Sequence, residues 1–187
     1  MRSRAICFNW YLWCLLTLAV GVGVGCTSLE DRRKNRVHYT ELWLHTVGPQ
    51  ASPDTNRMMI IEVAGMRMPV HRRPFLTEEN LVDATVIDSP GGGYALQLRF
   101  DDHGRLLLES YSTANRGQHV AIFARYGIRK DQKKTPLEER WLAAPLITRP
   151  LVEGVIVFTP NVPKVELFHI VDGLQKAAEL AAKPWVF

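Results

Sequence analysis

Residues 85–124 read TVIDSPGGGYALQLRFDDHGRLLLESYSTANRGQHVAIFA, and this one stretch holds strand, turn, strand, helix and strand in succession. Thr85 to Ser89 is rich in β-favouring residues, and Pro90, Gly91, Gly92 and Gly93 form a turn. After the turn, Tyr94, Leu96, Leu98 and Phe100 alternate with Ala95, Gln97 and Arg99. That period of two predicts a hairpin with one buried face. Asp101, Asp102, His103 and Gly104 close the hairpin and open a helix, with Asp102 helping to start it. Leu106, Leu107, Ser110, Tyr111 and Ala114 recur at helical spacing, and Gly117 stands just past the end. Val120 to Ala124 is an unbroken run without polar side chains, the pattern of a strand covered on both faces.

On the C-terminal side, Tyr126 to Arg140 is charged and irregular and reads as an exposed loop, longer than most connections. Trp141 to Ile147 and Val155 to Phe158 read as strands separated by a turn with Pro150 and Gly154. Asn161 is placed to cap a helix whose apolar positions are Val165, Phe168, Val171, Leu174, Ala178 and Ala181. On the N-terminal side, Met58 to Val63 reads as a strand, Gly65 as a turn, and Met66 to Val70 as a return strand. Pro69 and Pro74 confine that return strand to an edge. Thr77, Glu78, Glu79 and Asn80 have the chemistry of a helix start, giving a short helix to about Ala84. The resulting order is α+β: a mainly antiparallel sheet with two or three helices packed on one face. Assigned to residues 58–187, such a domain buries roughly two-thirds of its unfolded surface.

Residues 1–25 differ from the rest. Arg2 and Arg4 precede an uncharged run containing Phe8, Trp10, Tyr11, Leu12, Trp13, Leu15, Leu16 and Leu18, and small residues then lead to Cys26. Basic, apolar and small segments ending in Cys are the layout of a bacterial lipoprotein signal, with Cys26 as the lipidated first residue. Gly23 stands where such signals usually carry Leu, Val or Ile. Of the 3 cysteines, Cys7 and Cys14 lie inside the apolar run, so cleavage leaves Cys26 alone and no internal disulfide. The alternative is an uncleaved span, since the run is about long enough to cross ~30 Å of hydrocarbon. Arg32, Arg33, Lys34 and Arg36 would then place the main domain in the cytoplasm. Residues 26–57 read as a tether with an apolar island at Tyr39, Leu42, Trp43, Leu44 and Val47.

Composition narrows the function classes. With 47% hydrophobic and 22% charged residues the chain has a core to bury, which excludes a wholly disordered or collagen-like protein. Without Arg2 and Arg4, the 23 basic residues become 21 against 19 acidic ones. Near neutrality, and with no basic stripe interleaved with aromatics, nucleic acid is not an expected partner. The cluster at Arg32 to Arg36 could instead favour anionic head groups by ~1 kcal/mol per basic side chain.

Catalytic signals are sparse. Asp101, Asp102 and His103 are the best metal candidate, but no second His or Cys follows at ligand spacing, and a polar turn accounts for them. Gly91 to Gly93 lack the Lys and Ser or Thr of a phosphate loop. Neither Ser110 nor Ser112 lies in a nucleophile-elbow sequence that would pair it with His119. His38, His45, His71 and His169 are scattered. Met58, Met59, Met66 and Met68 cluster, and methionines make adaptable surfaces for apolar partners.

From Thr77 to Ala182 the landmarks resemble the head subdomain of the first periplasmic domain of SecD, the protein-export membrane subunit. The matching pieces are Leu81 to Ile87, Leu98 to Asp101, Gly104, Thr113 with Asn115 and Gly117, and Val120 to Phe123. Ala143, Ala144, Pro145 and Ile147, then Pro150 with Gly154, Val155 to Phe158 and the final helix complete the set. The chain departs from that family at Arg125, Tyr126 and Gly127, where Asp-Gly is usual, and it lacks the polytopic membrane region that couples proton movement to export. The resemblance implies the fold, an envelope location facing the periplasm, and a surface for protein partners or exported polypeptide, through an edge or groove. The expected binding residues are Met58, Met59, Met66, Met68 and Trp141, with no cofactor, no metal and no catalysis. A scaffolding lipoprotein and a small metal-dependent hydrolase at Asp101, Asp102 and His103 are the alternatives.

Overall fold

The computed structural model describes residues 37–48, 57–89, 91–129 and 136–182. The signal-like segment, Cys26 and most of the tether lie outside the described residues. All described elements belong to one unit, Arg36–Phe187. In chain order they are β1 (Val37–Thr46), β2 (Met58–Val63), β3 (Met66–His71), β4 (Leu76–Thr77), a 3-10 turn (Glu78–Asn80), β5 (Leu81–Asp88) and β6 (Tyr94–Phe100). Then come α1 (Asp102–Ala114), β7 (Val120–Arg129), β8 (Glu138–Ala143), β9 (Val155–Phe158) and α2 (Lys164–Ala182).

The expected α+β class is the observed one, with the strands in three antiparallel sheets. One has the order β4–β1–β7–β8, a second is the β2–β3 hairpin, and the third has the order β5–β6–β9. The main core lies where these sheets meet the helices. Leu42, Leu44, Ile122, Ala124 and Leu142 come from the four-stranded sheet, Leu96, Leu98, Phe100, Ile156 and Phe158 from the three-stranded one, and Leu108, Leu167, Ile170 and Leu174 from the helices. α2 lies across β1 and β5. A second cluster forms on the other face of the four-stranded sheet, where Ile61, Val63, Met68 and Val70 of the hairpin meet Ala121. Val120 to Ala124 thus lacks polar residues because β7 is covered on both faces at Ala121 and Ile122, with Phe123 left half-buried.

Five local readings change. The apolar island at Tyr39 to Val47 is not a docked piece of tether but β1, an interior strand that pairs with β7 along its whole length, from Val37↔Arg129 to Thr46↔Val120. Its cover comes from residues about eighty positions away, which local composition cannot register. The segment after Thr77 forms one 3-10 turn without a side-chain cap rather than a helix to Ala84. Leu81 and Ala84 are drawn into β5 by pairing with Phe100 and Leu98. Glu78 serves instead as an acceptor for the Leu42 N–H, at 2.9 Å. Burial raises its carboxyl above the ordinary range, against the lowering effect of that hydrogen bond.

The charged stretch from Tyr126 to Arg140 is not one loop, because β7 continues to Arg129 and β8 begins at Glu138. Its charges sit on a sheet edge, where charged side chains are common. Two of them pair across elements, Glu139 with Arg125 of β7 and Arg140 with Glu166 of α2, and Arg140 also pairs with Glu138 within β8; Arg125 in turn pairs with Glu41 of β1. β8 correspondingly ends at Ala143, not Ile147; beyond it only an isolated bridge, His119↔Leu146, remains. Asn161 does not cap α2. Its backbone N–H donates to the Leu142 carbonyl at 2.7 Å, and the helix begins at Lys164.

Candidate functional site

The outer face of the four-stranded sheet carries an aromatic row that the strand register assembles. Trp43 stands opposite Phe123, and Phe123 opposite Trp141, so three adjacent strands each contribute one ring. Trp43 and Phe123 are stacked at 5.3 Å between ring centroids, and Trp141 meets Phe123 edge-on at 5.0 Å. These are favourable aromatic geometries. All three rings are half-buried. The Arg125 guanidinium lies 5.3 Å from the Trp43 ring centroid, within cation–π range, and is ion-paired to Glu41.

Beside this row opens a cleft of about 500 Å³ between the tip of the β2–β3 hairpin, at Glu62, Val63 and Ala64, and the sheet, at Phe123 and Trp141. Glu139 and Arg140 stand on its β8 side. β8 is an edge of its sheet, and among the described residues no strand pairs with its outer side. Among the described residues, the Asn161 N–H on the Leu142 carbonyl closes one point of it. An aromatic floor, an open strand edge and rim charges of both signs suit an extended polypeptide, through main-chain pairing and apolar side-chain contacts.

His45 anchors the hairpin to this face. Its Nδ1–H donates to the His71 carbonyl at the end of β3, 2.8 Å away, and its ring meets Trp141 edge-on at 5.3 Å. The residue is 2% exposed, and Nε2 is buried without a hydrogen-bond partner. Desolvation lowers the imidazole pKa from 6.5 and outweighs the His71 carbonyl, which favours the charged form. The unfolded chain therefore binds the extra proton first as pH falls. The stability contributed by neutral His45 is present above about pH 6.5 and is lost as pH drops through 6.5 towards the lower folded value. Urea midpoints measured from about pH 7.5 to 5.5 should fall for the wild type and fall less for His45→Gln. Identical slopes would refute this. Glu78, whose carboxyl is raised, works with the opposite sign at lower pH, so the difference between the two proteins is the quantity to read.

The methionines divide. Met58 and Met68 are buried, Met59 is half-buried against the second cluster, and Met66 is 41% exposed. Trp141 lies in the cleft wall, but its partners Phe123 and Trp43 were not singled out as a site. The available signal was alternation, since Trp43 and His45 interleave with Leu42 and Leu44.

Of the catalytic candidates, Asp101, Ser112 and His119 are engaged in hydrogen bonds of the fold. Asp101, not Asp102, is the N-cap of α1, accepting the Gly104 N–H at 2.7 Å, and Asp102 and His103 are exposed. Ser112 is buried, donating to the Glu109 carbonyl and accepting the Leu151 N–H. His119 Nδ1 is engaged by the Ala144 carbonyl. The histidines scattered in sequence partly converge: the His38 and His169 rings stack at 4.7 Å, with Asp172 3.8 Å from His38. Among the described residues no three His, Cys, Asp or Glu side chains are grouped to hold a metal ion. Nor is any helix among them long and apolar enough to cross a membrane.

No protein-family model matches the chain, and no curated protein does. Among solved structures, the chain is similar to a membrane component SecDF that enhances protein export, with 19% identity, a TM-score of 0.52, and coverage of 82% of this chain and 70% of that one. It is also similar to SecDF in a super-membrane-facing form, with 18% identity, a TM-score of 0.51, and coverage of 82% of this chain and 21% of that one. At these identities the likeness is one of fold. Its extent takes in strands upstream of Thr77, beyond the landmarks visible in the sequence.

Proposed function

We propose that this protein is a non-catalytic binding module of the bacterial cell envelope, held at the membrane by a lipid on Cys26 and facing the periplasm. Its partner is protein, in the form of an extended or partly folded segment. The observation that carries this reading is the aromatic row of Trp43, Phe123 and Trp141 beside the open β8 edge and the cleft. The likeness of fold to a protein that enhances export supports it. Exposed Met66 and half-buried Met59 share one face of the hairpin with buried Met68, while Met58 lies on the opposite face. A permanent scaffold would instead need a broad, constant interface.

A photo-crosslinking residue at Glu62, which is exposed in the cleft, should trap polypeptide adducts in whole cells. The same probe at exposed Glu179 on α2 should not. Phe123→Ala should reduce the Glu62 adducts strongly, as truncation of a central aromatic anchor often costs ~2 kcal/mol or more. Equal trapping from both positions, or none from Glu62, would refute the site; one constant adduct would favour the scaffold. In the same cells Cys26→Ser should abolish fatty-acid labelling and release the domain. Unchanged mass and membrane fractionation would show an uncleaved span instead.

A further inference from the structure

A second concavity lies apart from the aromatic cleft and shares no lining residue with it. It encloses about 590 Å³ and is lined by Thr46, Arg57, His71, Arg72, Arg73 and Phe75. Through Thr46 and His71 it adjoins another depression, which adds the side chains of Asn115, Gln118 and His119. None of the residues lining either depression is a carboxylate, and among the described residues neither Arg72 nor Arg73 is ion-paired. In a chain whose mature charges nearly balance, this concentration of guanidinium and imidazole is not background.

The local structure holds the charges together at some cost. The Arg72 N–H donates to the Arg57 carbonyl at 2.9 Å, continuing the β2–β3 pairing one step past Met58↔His71. Two arginines thus face one another across an antiparallel pair, where like charges are unfavourable. Arg57 has a further interaction of its own, so the anion-binding role rests on Arg72 and Arg73. Phe75, stacked on Tyr111 at 4.4 Å, supplies a rigid apolar wall.

We propose that this concavity binds a phosphate group, with Arg72 and Arg73 as its charged donors and Thr46 and His71 as neighbouring polar contacts. Guanidinium groups suit the task because their planar donor array matches phosphate oxygens bidentately. The volume exceeds that of phosphate alone and lies within the range of small-ligand sites, so the phosphate is either free or the head of a larger molecule such as an anionic lipid.

The test uses the full chain in non-ionic detergent. Thermal unfolding is followed on adding inorganic phosphate against chloride at matched ionic strength, and on adding short-chain phosphatidylglycerol against phosphatidylcholine. A ligand that binds the folded state raises the unfolding temperature. A rise with inorganic phosphate identifies free phosphate as sufficient, and a rise with phosphatidylglycerol alone identifies the lipid head group. In either case, Arg72→Gln combined with Arg73→Gln should weaken binding by about tenfold or more. The unliganded unfolding temperature should stay unchanged or rise, because a like-charge contact is relieved. No stabilisation by any of these probes, or stabilisation that survives the double substitution, would overturn the proposal. Because the residues differ from those of the aromatic cleft, polypeptide crosslinking from Glu62 should continue in the double variant.

Discussion

Replacing Leu42 with alanine should lower the unfolding free energy by about 2–5 kcal/mol, the range for deleting a fully buried leucine side chain. Leu42 is 0% exposed on the inner face of β1, opposite Ala124 of β7 and within the main core. The loss has two parts: removal of apolar surface from a dry environment, and a cavity that β7 and α2 can only partly close. Domains of this size are stable by roughly 5–15 kcal/mol, so the change is a large share of the total. Equilibrium urea unfolding of the full chain in detergent, followed by tryptophan fluorescence, measures it. A loose tether at this position would give under about 0.5 kcal/mol, as surface substitutions do, and that result would refute the placement of β1 inside the sheet.

Gly173→Val should be comparably damaging for the opposite reason. Gly173 lies where α2 crosses β1, and a Cβ there would stand 2.9 Å from the Thr40 Cβ and 3.0 Å from the Thr40 backbone nitrogen, with the Thr40 hydroxyl closer still. Backbone cannot yield as a side-chain tip can, so the helix would have to lift from the sheet. Overpacking of this kind costs about 1–3 kcal/mol for one carbon and more for a branched residue. Gly173→Ala is the graded form. In an open helix it would gain up to ~1 kcal/mol, so a net loss shows that packing overrides propensity. Thr40→Ala alone removes a hydroxyl that has no hydrogen-bond partner and should cost under about 1 kcal/mol. Combined with Gly173→Ala it should recover part of the loss, since the nearest clashing atom is gone. Strictly additive effects would mean that the two residues do not touch.

Local sequence was informative where an element's neighbours lie close in the chain. The β5–β6 hairpin follows from alternation between Tyr94 and Phe100 and the glycines before it, and α1 from its polar start and the Gly117 stop. Gly117 has φ of 84°, a left-handed conformation that favours glycine. Both were legible because turn and strand lie within about twenty residues. The same reading misplaced β1, the start of β5 and the β7–β8 edge. In each, polar or charged residues are satisfied by distant partners: Glu78 by the Leu42 N–H, Glu41 by Arg125, Arg140 by Glu166. Charge near a strand therefore read as tether, helix start or loop. Of the candidate site, Trp141 and the hairpin methionines were visible as residue types, while Trp43 and Phe123 acquire meaning only once they are neighbours.

What the chain determined by itself was the α+β class, its longest periodic elements and the absence of a recognisable catalytic motif, because these depend on periods of two and 3.6 and on spacing along the backbone. Tertiary structure alone decided that Val37–Thr46 is an interior strand, that three rings line up across β1, β7 and β8, and that Arg57, Arg72 and Arg73 share one concavity. Those facts depend on which segments pair and in what register. Register is selected by the summed burial of both sheet faces, a quantity that no short window of residues contains.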